Sequence, residues 1–365
     1  MNMNPSSASS LTLHTKLSRR QALKQGMAGT LALALTPGAL GNPTGPQQRS
    51  PRLHDYNDYA WLRGFNIIPF WANRIDQAWW EYHPDRFRAE IDLARQVHGN
   101  CIRLWIEYSA WRAYPDKVTG FFHDAIQAID EAGMKTMPCL FNRRHHSSWD
   151  YGGTYDWDLT RNWGERLQYI VALVKPLAND PRILLWDLCN EPQAQNVFNG
   201  INPIEFAWLK SVSDTVRSCN AQQPITIGTT TGDNIRVFAS LCDVLACHPH
   251  CPDLGLIDYA LDACQEVQNE FRKPMLCNEA VSGAREDLQR AKLALVTTEA
   301  LVERGWGWMG WSLQEGRAVA ARRDRPDENG IDGHGFHAWF NSDRTLRAGL
   351  DFLLERPNLQ PPWMA

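Results

Sequence analysis

Ile183-Leu184-Leu185-Trp186-Asp187-Leu188-Cys189-Asn190-Glu191-Pro192 is an apolar run that ends in an amide and a carboxylate and is stopped by proline. Its composition describes a buried strand, and Pro192 cannot donate to a ladder that would carry it further. Helical periodicity brackets it at residues 163–177 and 204–218, where apolar and charged side chains alternate at three- and four-residue spacing. A strand between two amphipathic helices is one β-α unit, and the unit recurs in both directions. Short β-rich runs occur at residues 62–69, 100–107, 135–142, 182–190, 224–229, 244–248, 274–279 and 306–313, with further helical patterns at 86–97, 121–132 and 285–304. Residues 345–354, after the last run, are one more helix candidate. Eight such units in about 300 residues predict an α/β fold, a single (β/α)8 barrel. The competing arrangement is a doubly wound open sheet.

In a barrel, chemistry belongs at the C-terminal ends of the strands. Those ends carry Arg103 in the second run, His145 and His146 after the third, Asn190 and Glu191 at the fourth, His248 and His250 at the sixth, Glu279 at the seventh and Trp311 at the eighth. Lys273-Pro274-Met275-Leu276-Cys277-Asn278-Glu279-Ala280 repeats the logic of the fourth run, an apolar strand delivering a carboxylate. Strands four and seven lie on opposite sides of an eight-strand ring, so the two carboxylates face each other across its mouth. One Glu at a strand end is ordinarily a charge satisfied by a neighbour. Two at matching ends, with Arg103 available to both, suit a reaction that needs one group to protonate a leaving oxygen and another to attack or to activate water.

Composition narrows the partners. The 365 residues are 44% hydrophobic and 21% charged, an ordinary globular balance. Four of the 37 basic residues, Lys16, Arg19, Arg20 and Lys24, lie in the first 41 positions, which hold no acid, leaving 33 basic against 41 acidic residues. An acidic body without a basic run argues against nucleic acid. Sixteen Trp suit a cleft that stacks the apolar faces of sugar rings. Nine scattered Cys imply neither a disulfide framework nor a zinc ribbon.

Trp186-Asp187-Leu188-Cys189-Asn190-Glu191-Pro192 resembles the Asn-Glu-Pro acid/base motif of clan A retaining glycoside hydrolases, most nearly the cellulase-like family 5 group. Over residues 60–355 the order of motifs is similar too: Arg103 resembles the clan's strand-2 arginine, His248 its strand-6 histidine, residues 273–279 its nucleophile strand and Trp311 its strand-8 tryptophan. His250 stands where the group usually has a Tyr, and as an N–H donor it can fill the same role. The resemblance implies hydrolysis of β-glycosidic bonds in a β-glucan- or β-mannan-type substrate by double displacement, without a cofactor or metal. Glu279 would be the nucleophile, held ionised by Arg103. Glu191 would be the acid/base, its pKa raised by the facing charge. Asn190 would bind the sugar 2-hydroxyl, His248 and His250 would orient the carboxylates or substrate, and Trp311 would floor the −1 site, with Trp71, Trp105 and Trp149 as further stacking candidates. The basic stretch 142–146 either binds an acidic or heavily hydroxylated substrate or pairs with Asp150 and Asp156, the latter being favoured.

Other signals are weaker. Residues 305–310 fit G-x-G-x-x-G, but a helix precedes them and a strand comes after, the reverse of a dinucleotide site. Cys247-His248-Pro249-His250-Cys251 is metal-like in composition, yet no C-x-x-C or H-E-x-x-H complements it. His334 and His337 fall in a Gly-rich loop, with a place on the substrate rim open to them. Cys189 and Cys277, two positions before each Glu, would point inward with them by period-two alternation. The rival functions are a non-catalytic sugar-binding barrel, which has no need of both Glu, and a metal-dependent hydrolase, which would want an H-x-H at the first strand end.

Residues 1–41 carry Ser18-Arg19-Arg20-Gln21-Ala22-Leu23-Lys24 ahead of a short apolar run and small residues, the pattern of a twin-arginine-like export signal for a periplasmic or secreted protein. The run is too short to span a bilayer and no Cys comes after it, so neither a membrane span nor a lipid anchor is expected. Residues 42–57 read as a Pro/Gly-rich linker to a catalytic domain at 58–365. Replacing Arg19 and Arg20 by Lys keeps the charge but loses the guanidinium geometry. The expected outcome in a bacterial host is cytoplasmic retention, measured by fractionation; normal export of the double variant excludes the twin-arginine route.

Overall fold

A computed structural model of the chain describes residues 53–145, 151–161, 163–193, 195–196, 200–323 and 336–364. The expected export signal and most of the expected linker fall outside these residues, as do His146, Trp149, Asp150 and His334. Eight parallel strands close into a barrel: β1 (Arg63–Ile67), β2 (Cys101–Trp105), β3 (Lys135–Cys139), β4 (Trp186–Asn190), β5 (Ile225–Thr229), β6 (Leu245–Cys247), β7 (Met275–Ala280) and β8 (Trp308–Gly310). Each pairs with its neighbours in chain order, and β8 closes on β1. The predicted (β/α)8 barrel is the fold, and every expected strand is present.

The surrounding helices among the described residues are α1 (Ile75–Trp80), α2 (Pro84–Gln96), α3 (Tyr108–Ala113), α4 (Pro115–Glu131), α5 (Trp163–Val174), α6 (Pro203–Ser218), α7 (Gly232–Phe238), α8 (Ile257–Phe271) and α9 (Asp287–Glu303). Their starts reflect simple chemistry. Pro opens α2, α4 and α6, where its missing N–H is no loss, and Asn202 caps α6 by accepting from the Glu205 amide. In α4, Val118, Phe122, Ala125, Ile126 and Ile129 form the buried stripe. The helix expected at 345–354 does not form: Arg344 and Gly349 take left-handed backbone at φ 71° and 82°, and only a short 3-10 turn, Asp351–Leu354, remains. None of the described helices is long and apolar enough to cross a membrane.

Inside the barrel, side chains from the N-terminal ends of the strands form an apolar plug that includes Leu62, Cys101, Met137, Leu276 and Met309. Above it lies a polar layer. Arg103, fully buried, donates from Nε to Asp187 Oδ2 (2.8 Å), from Nη1 to Asn66 Oδ1 (2.9 Å) and Glu279 Oε2 (3.1 Å), and from Nη2 to Asn190 Oδ1 (3.0 Å). Asp187 also accepts from Asn278 Nδ2 (2.9 Å) and the Gly228 amide (3.1 Å). A buried charge is tolerated only with partners of this kind.

Two strands are irregular where it matters. Between Asp187 and Asn190, β4 carries three steps against two on β5, and between Cys277 and Ala280, β7 carries three against two on β8. One extra residue re-aims the side chains beyond it. The inward expectation for Cys189 and Cys277 therefore fails: both belong to the apolar cluster shared with the helices, where Cys277 lies beside Cys247 and the α8 residue Cys264. All nine cysteines are free thiols.

The polar layer fits because β5 offers no side chain at position 228. A Cβ there would stand 2.6 Å from His248 Nε2 and 3.0 Å from both Arg103 Nη2 and Asn278 Nδ2. Gly228→Ala should destabilise the barrel by about 1–3 kcal/mol, the usual range for overpacking. Gly120→Ala, exposed on α4 where an added Cβ meets nothing within 4 Å, should hold or raise stability. Denaturant midpoints measure both; equal midpoints for the Gly228 variant and the wild type exclude the crowding argument.

Candidate active site

The extra residue in β4 and in β7 brings consecutive side chains to the barrel mouth. Asn190 turns into the polar layer and Glu191 rises above it; Asn278 and Glu279 do the same on the facing strand. Glu191 adopts left-handed backbone at φ 46°, uncommon for a residue with a side chain, while its amide donates to the Gly228 carbonyl. One carboxylate oxygen of Glu191 and one of Glu279 lie within 4.8 Å of each other, and both residues are shielded from solvent.

Each carboxylate has its own histidine. Glu279 Oε1 accepts from His250 Nε2 at 3.0 Å, opposite the Oε2 that accepts from Arg103. Burial pushes the Glu279 carboxyl up, but the charges of His248, His250 and Arg103 and the His250 hydrogen bond outweigh it and bring its pKa to about 2. His250 moves the opposite way: burial lowers it, and Glu279 and Glu191 raise it above the ordinary histidine value.

Glu191 Oε1 lies 3.0 Å from His248 Nδ1, and His248 Nε2 lies 2.9 Å from Asn278 Oδ1. Asn278 spends its Nδ2 on Asp187, so its oxygen faces the ring and His248 carries its N–H at Nε2. The contact between Nδ1 and Glu191 then needs one proton, held by the pair. Burial raises the Glu191 carboxyl, as does Glu279, but the hydrogen bond and charge of His248, with Arg144, leave it below the usual carboxylate value. The expectation that facing Glu279 would leave it raised is corrected on that ground: the His248 hydrogen bond counts for more than the opposing charge.

The remaining predicted residues divide. Asn190 is anchored by Arg103 and by its own donation to Asn142 Oδ1 (3.1 Å). Trp311 packs on Trp105 with centroids 5.1 Å apart, and Trp105 lies under the Arg103 guanidinium and donates to Asn66. Trp71 is buried with its ring against Phe70 and His83, not against a group of the carboxylate cluster. His145 is pinned to the Thr154 carbonyl and stacks on Tyr155. Arg143 is buried and pairs with Asp156 (2.6 Å), as the pairing alternative expected, and with Glu205 (2.8 Å), which it did not name. Arg144 behaves differently: its Nε stands 3.6 Å from Glu191 Oε2, on a side chain 58% exposed. His337 is buried and meets His250 edge-on at 5.7 Å.

Several contributors escaped the sequence analysis. Asp187, Asn278 and Asn66 are polar residues inside apolar strands, which was a legible signal. Gly228 gave none. The loop after β3 also presents Trp157, 59% exposed and stacked on Tyr155 at 4.6 Å, continuing the stack that begins at His145. Among the described residues, Glu191, His248, His250 and Glu279 are the group that could hold a metal ion.

No family model and no curated protein sequence matches the chain. Solved structures do. The GH5_18 protein of Streptomyces cattleya, solved in complex with GlcNAc, superposes with a TM-score of 0.65 at 16% identity over 82% of each chain. An exo-β-1,4-mannosidase from Opitutaceae bacterium strain TAV5 gives 0.60 at 14% identity, over 80% of this chain and 58% of that one. The endo-β-1,4-mannanase of Thermotoga petrophila gives 0.54 at 15%, over 80% and 75%. At these identities the likeness is one of fold: the chain shares the (β/α)8 architecture of these structures.

Proposed function

We propose that the protein is a retaining glycoside hydrolase that cleaves β-glycosidic bonds of a poly- or oligosaccharide of β-glucan or β-mannan type, acting in the periplasm or outside the cell. The observation that carries this reading is the approach of the Glu191 and Glu279 carboxylates to within 4.8 Å at their nearest oxygens. Retaining pairs stand about 5–5.5 Å apart and inverting pairs about 6.5–9.5 Å, the wider gap leaving room for a water. The neighbours named for β-1,4-mannosidase and mannanase activity support the mannan arm.

Glu279, kept ionised by Arg103 and the two histidines, attacks the anomeric carbon. The glycosyl bond to its carboxylate forms as the bond to the leaving oxygen breaks. The proton for that oxygen comes from the Glu191–His248 pair and is delivered by Glu191. Once the intermediate exists, Glu279 no longer bears its charge, and Glu191 takes a proton from the water that hydrolyses it. Asn190, locked by Arg103 and Asn142, turns its remaining amide N–H toward the sugar 2-hydroxyl, while Trp311 backed by Trp105 forms the floor. Trp157 and Tyr155 are a stacking platform for a further sugar unit.

Two variants test the roles. Glu191→Ala should lose about a hundredfold or more on natural glycosides and far less on aryl glycosides with good leaving groups, since general acid catalysis matters most when the departing oxygen is basic. Equal losses on both remove Glu191 from the acid role. Glu279→Ala should be inert in water and should form a glycosyl azide of inverted configuration in azide, while the wild type releases first a sugar of retained configuration by NMR. An inverted first product overturns double displacement.

A further inference from the structure

The stretch Cys247-His248-Pro249-His250-Cys251 is divided by the fold. Cys247 turns to the helix side of the sheet, and Cys251 Sγ approaches the Leu256 carbonyl, away from the histidines. The histidines turn into the mouth and meet two carboxylates from other strands. His248 Nδ1, His250 Nε2 and one oxygen each of Glu191 and Glu279 all lie within 4.8 Å of one another. The shorter separations are 3.0 Å from His248 Nδ1 to Glu191 Oε1, 3.0 Å from His250 Nε2 to Glu279 Oε1 and 3.8 Å from His248 Nδ1 to the other Glu279 oxygen, Oε2. Four ligands at about 2.0–2.2 Å from a tetrahedral ion stand about 3.3–3.6 Å apart. The set straddles that value: the two 3.0 Å contacts open by a few tenths of an ångström and the widest edge contracts as the ion enters.

Its ring chemistry also fits. His248 keeps its proton on Nε2, fixed by Asn278 and through it by Asp187, so Nδ1 is the nitrogen offered inward. A ligating imidazole oriented through its other N–H is the usual arrangement around a metal. His250 can carry its proton on Nδ1, which has no hydrogen-bond partner among the described residues, and offer Nε2. Two imidazoles with two carboxylates favour a zinc-like first-row divalent ion over Mg²⁺ or Ca²⁺, which prefer all-oxygen sites.

We propose that the catalytic mouth is also a chelating site for one zinc-type divalent cation, and that the cation competes with sugar because it occupies both catalytic carboxylates. The competition rests on the glycosidase reading; the binding does not. The outer groups that hold the ligands are already in place, and what changes on binding is that the shared protons leave and the ion takes their position.

The test is calorimetric titration of Zn²⁺ into EDTA-washed full-length protein, with Mg²⁺ as control, alongside hydrolysis of an aryl β-glycoside at rising Zn²⁺. The expected results are one saturable Zn²⁺ per chain, no comparable Mg²⁺ binding, and competitive inhibition reversed by EDTA. His250→Ala should weaken Zn²⁺ by more than about tenfold, the lower end of what loss of even an outer partner costs. Cys251→Ser should bind as the wild type does. No saturable Zn²⁺ binding, or binding indifferent to His250→Ala but lost with Cys251→Ser, overturns the site while leaving the glycosidase reading intact. Washed protein that is inert until Zn²⁺ is added overturns the competition and the two-carboxylate mechanism together, while the cation site stands.

Discussion

Everything at the mouth of this barrel hangs on one buried guanidinium. Arg103 lies in the second strand with no access to water, and each of its donors ends on a different part of the site: Asp187 and Asn190 on β4, Asn66 on β1, Glu279 on β7. A planar fork with five N–H groups can tie four positions at once in a way a lysine cannot. The charge cannot be shed by deprotonation at any working pH, so burial is tolerated only with the hydrogen-bonded carboxylates of Asp187 and Glu279 beside it. Arg103 in turn joins His248 and His250 in holding the Glu279 carboxyl low against the cost of its burial.

The layer is completed by an absence. Gly228 lets His248, Arg103 and Asn278 meet at a point where any side chain would intrude. His248 is then oriented by Asn278, Asn278 by Asp187, and Asp187 by Arg103. The histidine beside Glu191 is thereby coupled through a chain of hydrogen bonds to the same guanidinium that holds Glu279. Neither carboxylate is adjusted independently of the other.

Much of this is legible in the residue order, for physical reasons. Apolar runs punctuated by Pro and charged residues reveal all eight strands, because a parallel strand buried on both faces has no polar alternation to hide it. Glu191, Glu279, Arg103, His248 and His250 stand out because a charge placed in or at the end of such a run costs desolvation that packing alone does not repay. Period-two reasoning breaks at Cys189 and Cys277, where an inserted residue shifts the parity, and such insertions leave no mark in composition. Helix α8 is absent from the sequence-based expectations although Ile257, Leu261, Cys264 and Val267 form its buried stripe, while 345–354 has a helical pattern but is interrupted by left-handed backbone at Arg344 and Gly349. The direction of the Glu191 shift depends on whether His248 reaches it in a hydrogen bond, a matter of ångströms that residue order does not contain.

The left-handed backbone at Glu191 sets stability against chemistry at a single position. A residue with a Cβ is disfavoured in that conformation by about 1 kcal/mol or more, and glycine is not. The fold on its own terms would therefore prefer glycine where the proposed reaction requires a carboxylate. A programme that selected this barrel for heat resistance alone would be drawn to Glu191→Gly, and its more durable product would have lost the proposed proton donor. Thermal robustness is better sought among the outer helices, where the backbone and the chemistry make no competing demands.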